Sequence, residues 1–289
     1  MIINRRTLLA AAPALIAWPA LAKDATKDGP PALVAYERDT GGRIGVYAEN
    51  LKTGAKIAWR AQERFVMCST FKASLAACVL SRVDRGEVKL DRMIAYRESD
   101  ILEYAPVARD NLAKGAMSVE EMCKAAVELS DNTCANMLLD LVDGPRGLTA
   151  FWRKTGDDVS RLDHNEPALN YSKPGNPQDT TTPVAMAGNL RRFLLGDVLK
   201  QESRPRLTDW MVNCKTGAKR LRSGLPNDWR IGDKTGSSGK DAAGDIAMAW
   251  PKPDTPIVIV AYTQGGTPAP AQFEAAFKAI GEMVGQRLG

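Results

Sequence analysis

Strand-like patterning at both ends of the chain, with helical patterning between them, most constrains what this sequence can fold into. From Arg43 the residues Ile44, Val46 and Tyr47 alternate in strand fashion. Ile57 and Trp59 follow across the turn-like Asn50-Leu51-Lys52-Thr53-Gly54, which predicts an antiparallel hairpin. Near the other end, Gly232 to Gly236, Asp245 to Trp250 and Ile257 to Tyr262 read as strands, and Ala271 to Arg287 has helical periodicity. Ser118 to Leu129 is the clearest helix between, with Ser118 and Glu121 as a capping box and Met122, Ala125, Ala126 and Leu129 on one face. The termini are therefore expected to join in one antiparallel sheet flanked by helices, an α/β (α+β) fold, with an all-helical lobe beside it. The expected division puts residues 23–64 and 213–289 in the α/β lobe and 65–212 in the helical lobe. A cleft between two such lobes is the natural ligand site.

The first residues stand apart from this pattern. Arg5-Arg6 precedes the small and apolar run Thr7 to Trp18, and Ala20-Leu21-Ala22 has the small-x-small pattern of a signal peptidase site. Residues 1–22 read as an export signal cleaved after Ala22, which places the protein in the periplasm or outside the cell. The paired arginines fit a twin-arginine signal and an ordinary secretory one alike. The run falls short of the ~20 apolar residues of a membrane span, so no stable anchor is expected.

Of 289 residues, 25% are charged and 44% hydrophobic, which excludes intrinsic disorder and a small disulfide-stapled scaffold. Lys and Arg number 39 against 34 Asp and Glu, a formal +5 that falls to +3 once the two arginines of the leader are removed. The basic residues are spread along the chain, so nucleic acid is not an expected partner. One histidine, His164, starves any mechanism built on imidazole, and leaves Lys, Glu or Asp as proton carriers. The five cysteines, Cys68, Cys78, Cys123, Cys134 and Cys214, are odd in number and lack C-x-x-C spacing. Buried thiols are expected for most of them, and no metal or other cofactor.

Three short motifs carry chemistry. Ser69-Thr70-Phe71-Lys72 opens a run with helical apolar spacing at Phe71, Leu75, Val79 and Val83, so Ser69 and Lys72 stand one above the other. A helix N-terminus also favours a developing alkoxide or oxyanion. Alone, S-x-x-K is as compatible with a capping serine and a solvated lysine. Ser130-Asp131-Asn132 follows the capped helix, where Ser130 or Asp131 could simply cap the next one. Lys234-Thr235-Gly236 lies on a predicted strand, where the lysine could be a surface charge and the glycine a bulge. Their occurrence together, in this order and on elements facing the cleft, is what points to an active site.

With these three motifs the chain resembles the class A serine β-lactamases and, more loosely, the penicillin-binding transpeptidases. The resemblance runs from about Arg43 to the C-terminal helix. A fourth element, Glu166-Pro167-Ala168-Leu169-Asn170 within the loop-like segment 161–179, separates the two families, because the transpeptidases lack this glutamate. The resemblance implies hydrolysis of penicillins and some cephalosporins through an acyl-serine, giving antibiotic resistance, by a monomer acting on a small-molecule β-lactam. A peptidoglycan D,D-peptidase or penicillin-binding sensor is the alternative. The implied catalytic residues are Ser69 as nucleophile, Lys72 as a base, Ser130 as proton donor to the departing nitrogen and Glu166 as activator of the deacylating water. Asn170 helps hold that water, and Asn132 binds the substrate's acylamino group. Lys234, Thr235, Gly236, Ser237 and Arg220 line the carboxylate end, Tyr104 lines the cleft, and the backbone N–H groups of Ser69 and Ser237 form an oxyanion hole. A cis peptide between Glu166 and Pro167 is implied too.

Three departures set further expectations. His164 stands where many relatives carry an arginine that pairs with the aspartate matched by Asp179, so the loop is expected to be braced otherwise, by Arg161 with Asp163. Cys123 matches a disulfide cysteine whose partner position is Ala76, and Cys78 would point elsewhere. Cys68 matches a cysteine bridged in carbapenem-hydrolysing relatives to a position held here by Ser238, so a free buried thiol is expected and carbapenem hydrolysis is not implied.

Overall fold

The apolar run at the C-terminal end becomes the centre of the sheet because helices cover it on both sides. The computed structural model describes residues 29–289 apart from Ser172 and Pro174; the leader expected at 1–22 lies outside the described residues. The chain begins with α1 (Pro31–Thr40), β1 (Arg43–Asn50) and β2 (Lys56–Trp59). It continues through β3 (Phe65–Val66), α2 (Phe71–Asp84), β4 (Met93–Ala95), α3 (Pro106–Asp110), β5 (Ala116–Ser118), α4 (Val119–Glu128), α5 (Asn132–Leu141) and α6 (Gly144–Lys154). The remainder is β6 (Thr180–Thr181), α7 (Pro183–Leu194), α8 (Ser203–Val212), β7 (Arg230–Ser237), β8 (Ala243–Trp250), β9 (Ile257–Gln264) and α9 (Pro270–Leu288).

The main sheet runs in the order β2-β1-β9-β8-β7, and every neighbouring pair is antiparallel. First and last segments meet directly, with Arg43 opposite Gln264 and Asn50 opposite Ile257. Successive side chains of a strand point to opposite faces, and β9 buries both. Ile257, Ile259 and Ala261 join the core formed with α1 and α9, while Val258, Val260 and Tyr262 join the core that continues into the helices of 65–212. One sheet thus serves two cores. At an upper estimate of ~25 cal/mol per Å² of apolar burial, such a shared layer contributes strongly to both sides.

The middle segment is largely helical but not purely so, since β3 pairs with β6 and β4 with β5. The predicted capping box is present: the Ser118 hydroxyl accepts from Glu121 N at 3.2 Å, and the Glu121 carboxylate accepts from Ser118 N at 2.8 Å. No described helix is long and apolar enough to cross a membrane.

Candidate active site

Ser69 lies in a 3-10 turn, Cys68–Thr70, that leads into α2, and Lys72 is the second residue of that helix. Cys68 adopts a left-handed φ of 45°, a conformation that costs a non-glycine residue of order 1–3 kcal/mol. The Ser69 hydroxyl donates to Glu166 Oε1 at 3.0 Å and accepts from Lys72 Nζ at 2.9 Å. The same ammonium reaches Ser130 O at 2.8 Å, Asn132 Oδ1 at 2.5 Å and Glu166 Oε1 at 3.0 Å. Burial pushes the Lys72 pKa down, with the Glu166 carboxylate pulling against it. Both Lys72 and Glu166 side chains are fully shielded from solvent.

Ser130 also has a left-handed φ, 60°, between α4 and α5. Asp131 is the cap of α5, accepting from Cys134 N, and its second oxygen takes the N–H groups of Val107 and Ala108 at 2.9 Å. It is therefore a scaffold residue that leaves its neighbours Ser130 and Asn132 to face the cleft. Lys234, buried on β7, donates to Ser130 Oγ at 3.1 Å and to Thr235 O at 2.6 Å. Burial, aided by the Lys72 charge, lowers its pKa to about 8.

Glu166 reaches Ser69 from the 161–179 segment, and its peptide bond to Pro167 is cis, as the resemblance implied. Asn170 donates to Glu166 Oε2 at 2.6 Å and to Pro167 O at 3.0 Å. Asn136, one turn beyond Asn132 on α5, holds the Glu166 backbone in both directions: its Nδ2 donates to Glu166 O at 2.9 Å and its Oδ1 accepts from Glu166 N at 3.0 Å. Motif reading missed Asn136, although its i, i+4 spacing from Asn132 puts both on one helix face.

The bracing of this loop requires a correction. Arg161 does pair with Asp163, but His164 also bonds directly to Asp179, Nδ1 to Oδ2 at 2.6 Å. Asp179 Oδ1 accepts from the backbone N–H of Asp163 and of His164 at 2.8 and 3.0 Å. The imidazole is long enough to do what the arginine of relatives was expected to do, so the brace to Asp179 is kept with a ring nitrogen in place of a guanidinium.

Opposite Glu166, a cleft of about 360 Å³ is lined by Ser69, Tyr104, Ser130, Asn132, Glu166, Asn170, Thr216, Arg220, Thr235, Gly236, Ser237 and Gly239. All of the site residues read from sequence line it except Lys72 and Lys234, which lie behind the serines they contact. Thr216 was not anticipated; its hydroxyl shares a hydrogen bond with Thr235 at 2.6 Å. Gly236 is required by close approach, since a Cβ there would come within 3.0 Å of Ser69 N and 2.9 Å of Met67 O. This brings β7 and Ser237 alongside the Ser69 backbone. Arg220 packs over the Phe277 and Phe273 rings at 4.9 and 5.9 Å. Tyr104 is half exposed at the cleft mouth, and its carbonyl accepts from Asn132 N. All five cysteines are buried and free, and desolvation pushes the Cys68 thiol far above its ordinary range.

Residues 32–288 match the model of the beta-lactamase enzyme family. Beta-lactamase L2 of Stenotrophomonas maltophilia is 44% identical over 256 residues, 88% of this chain and 84% of its own. Beta-lactamase FAR-1 of Nocardia farcinica is 43% identical, over 81% of this chain and 75% of its own. Among solved structures, an ancestral class A beta-lactamase superposes with a TM-score of 0.85 at 50% identity, covering 88% of this chain and 97% of that one. A beta-lactamase from Xanthomonas campestris gives 0.86 at 48% identity, over 89% and 96%. With this overall superposition and this degree of identity over nearly the whole described chain, the protein belongs to the beta-lactamase enzyme family, in its class A.

Proposed function

We propose that the protein hydrolyses penicillins, and some cephalosporins, through an acyl-enzyme on Ser69, and so confers resistance to them. The observation that carries this reading is the Glu166 carboxylate within 3.0 Å of the Ser69 hydroxyl, held there by Lys72 and Asn170. A transpeptidase of the same fold passes its acyl group to an amine, and a penicillin-binding sensor retains it, so neither requires a carboxylate that activates water beside the acyl-serine, whereas β-lactam turnover does.

In acylation the Ser69 oxygen bonds to the lactam carbonyl carbon while its proton passes to the flanking bases, Lys72 or Glu166. The backbone N–H groups of Ser69 and Ser237 receive the oxyanion. Collapse breaks the lactam C–N bond, and Ser130, linked to Lys72 and to Lys234, delivers a proton to the departing nitrogen. In deacylation Glu166 takes a proton from water as the water oxygen bonds to the acyl carbon; the bond from that carbon to Ser69 Oγ then breaks, and the proton returns from Glu166 to Ser69 to restore the hydroxyl. Lys234, Thr235, Ser237 and Arg220 supply the cationic and hydroxyl groups for the substrate's carboxylate. Asn132 and Asn170 serve its side chain and the water.

Glu166→Gln tests the assignment: mass spectrometry with a penicillin should show a long-lived adduct on Ser69 and turnover reduced at least ~100-fold. Wild-type turnover without an adduct would refute it. The Arg5-Arg6 leader supports export to the periplasm or medium; N-terminal sequencing of the exported protein should begin at Lys23, and an intact leader there would refute cleavage.

A further inference from the structure

Behind the cleft, on the sheet face that carries Ile231, Ala243 and Ala247, two aspartates stand together on neighbouring strands. Asp245 of β8 lies opposite Thr235, and Asp233 of β7 lies opposite Ala247, so the two carboxylates are diagonal neighbours on one face. Both are fully buried. One oxygen of each is committed: Asp233 Oδ1 accepts from Arg222 Nε at 2.6 Å, and Asp245 Oδ2 accepts from Leu221 N at 3.0 Å. The other two, Asp233 Oδ2 and Asp245 Oδ1, are shielded and take no hydrogen bond from a nitrogen or hydroxyl among the described residues; the Cys214 thiol, a weak donor, stands beside Asp233. Gly217 closes over this place so tightly that a Cβ on it would lie 1.9 Å from Asp233 Oδ2.

Two neighbouring buried acceptors offered no more than a weak thiol donor are costly, and one proton resolves both by turning one acid into a donor to the other. We propose that Asp233 and Asp245 hold a single proton between them and together act as positioning residues for Arg220, the cation at the carboxylate end of the cleft. The pair grips the backbone of Leu221 and the guanidinium of Arg222, the two residues that follow Arg220, while Phe273 and Phe277 hold the Arg220 side chain itself. Burial raises both carboxyls, and the Asp233 charge raises Asp245 further. Arg222 pulls Asp233 the other way, so the proton resides on Asp245. The other groups facing the pair are Arg220, Cys214 and Lys234; on the far side of Arg220 stand Glu274 of α9 and Tyr36 of α1. With one proton retained, the pair neutralises Arg222 alone and leaves the Arg220 and Lys234 charges available to an anionic substrate.

This proposal rests on the reading of Arg220 as a substrate contact, and the experiment separates the two. Infrared difference spectra of the intact enzyme at neutral pH should show a protonated-carboxyl C=O band in wild type that Asp245→Asn lacks. With a penicillin, Asp245→Ala should raise KM about tenfold with kcat held within about twofold. Asp245→Asn should keep KM within about twofold of wild type, because its amide retains the acceptor for Leu221 N and donates to Asp233. In an Arg220→Ala background, Asp245→Ala should move KM by less than about twofold. Absence of the band overturns the shared proton. Equal damage by Asn and Ala, or full additivity with Arg220→Ala, overturns the positioning role. Should Asp245→Ala not fold, Asp245→Asn with an unchanged KM and a missing band still supports the proposal, and a raised KM refutes it. An Arg220→Ala enzyme with wild-type KM refutes the substrate-contact reading itself, while the band decides the shared proton independently.

Discussion

An ammonium buried as Lys234 is costs folding free energy that an exposed lysine does not, and the depressed pKa records it. The folded value of about 8 lies below the ordinary 10.5, so between these limits the unfolded chain binds more protons than the folded one. The contribution of this group to stability therefore rises as pH climbs from about 8 to 10.5. Its contribution to binding runs oppositely, because the neutral amine no longer attracts a carboxylate. Lys234→Met, of similar volume, should raise stability at pH 7 by about 1–3 kcal/mol and raise KM for a penicillin roughly 100-fold. Thermal midpoints at pH 7 and pH 10 check the first effect: the gap between variant and wild type should narrow at the higher pH. Initial rates check the second, and the rise in KM that wild type shows above about pH 8 should shrink in the variant.

At the scale of elements, Thr149 of α6 and the buried Leu162 and Leu169 tie the 161–179 segment to the helical core, and a smaller set of contacts decides where Glu166 stands. Asn136 on α5 makes two hydrogen bonds to the Glu166 backbone, while His164 and Asp179 close the base of the loop. Asn136→Ala removes both Glu166 bonds without touching the carboxylate. Misplacement of a catalytic group by about 1 Å costs ~100-fold, so kcat should fall by about that factor while an acyl adduct accumulates on Ser69. The stability loss should be about 2 kcal/mol, and pre-steady-state acylation should remain close to wild type. These contacts mark the limit of what sequence could reveal. The strands of the main sheet were legible, β1 and β2 from alternation and β9 from its unbroken apolar run, though β7 and β8 extend to Arg230 and Ala243, beyond the stretches predicted; the short strands β3 to β6 were not read from sequence. Ser69, Ser130 and Lys234 were legible because their motifs are contiguous. Asn136, Thr216 and the His164–Asp179 bond were not, because each pairs residues that only the tertiary fold brings together. The left-handed Cys68, Ser130 and Asp179 were equally hidden, since that conformation is ordinarily signalled by glycine.

Across the whole molecule, the sheet couples its two cores to one cleft. Its helical side carries Lys234 and Gly236 against Ser69 and Ser130, and its other side carries Asp233 and Asp245 against the α8–β7 connection. The final helix bears on structure and on the proposed substrate contact of Arg220 alike. Leu288 O at the end of α9 accepts from Asn50 Nδ2 at 2.7 Å, tying the C-terminus to β1, and Phe277 is buried beneath the sheet with Arg220 stacked on its ring. Phe277→Ala should therefore cost about 3–5 kcal/mol of stability, as expected for emptying a fully buried aromatic position. It should also raise KM for a penicillin several-fold at nearly constant kcat, because Arg220 loses the ring that aims it. Leu190→Ala on α7, in the other core, should cost about 2–5 kcal/mol but leave KM close to wild type. Denaturant midpoints and initial rates on the two variants test the coupling. If both lose stability and neither changes KM, the packing of α9 is independent of the aim of Arg220.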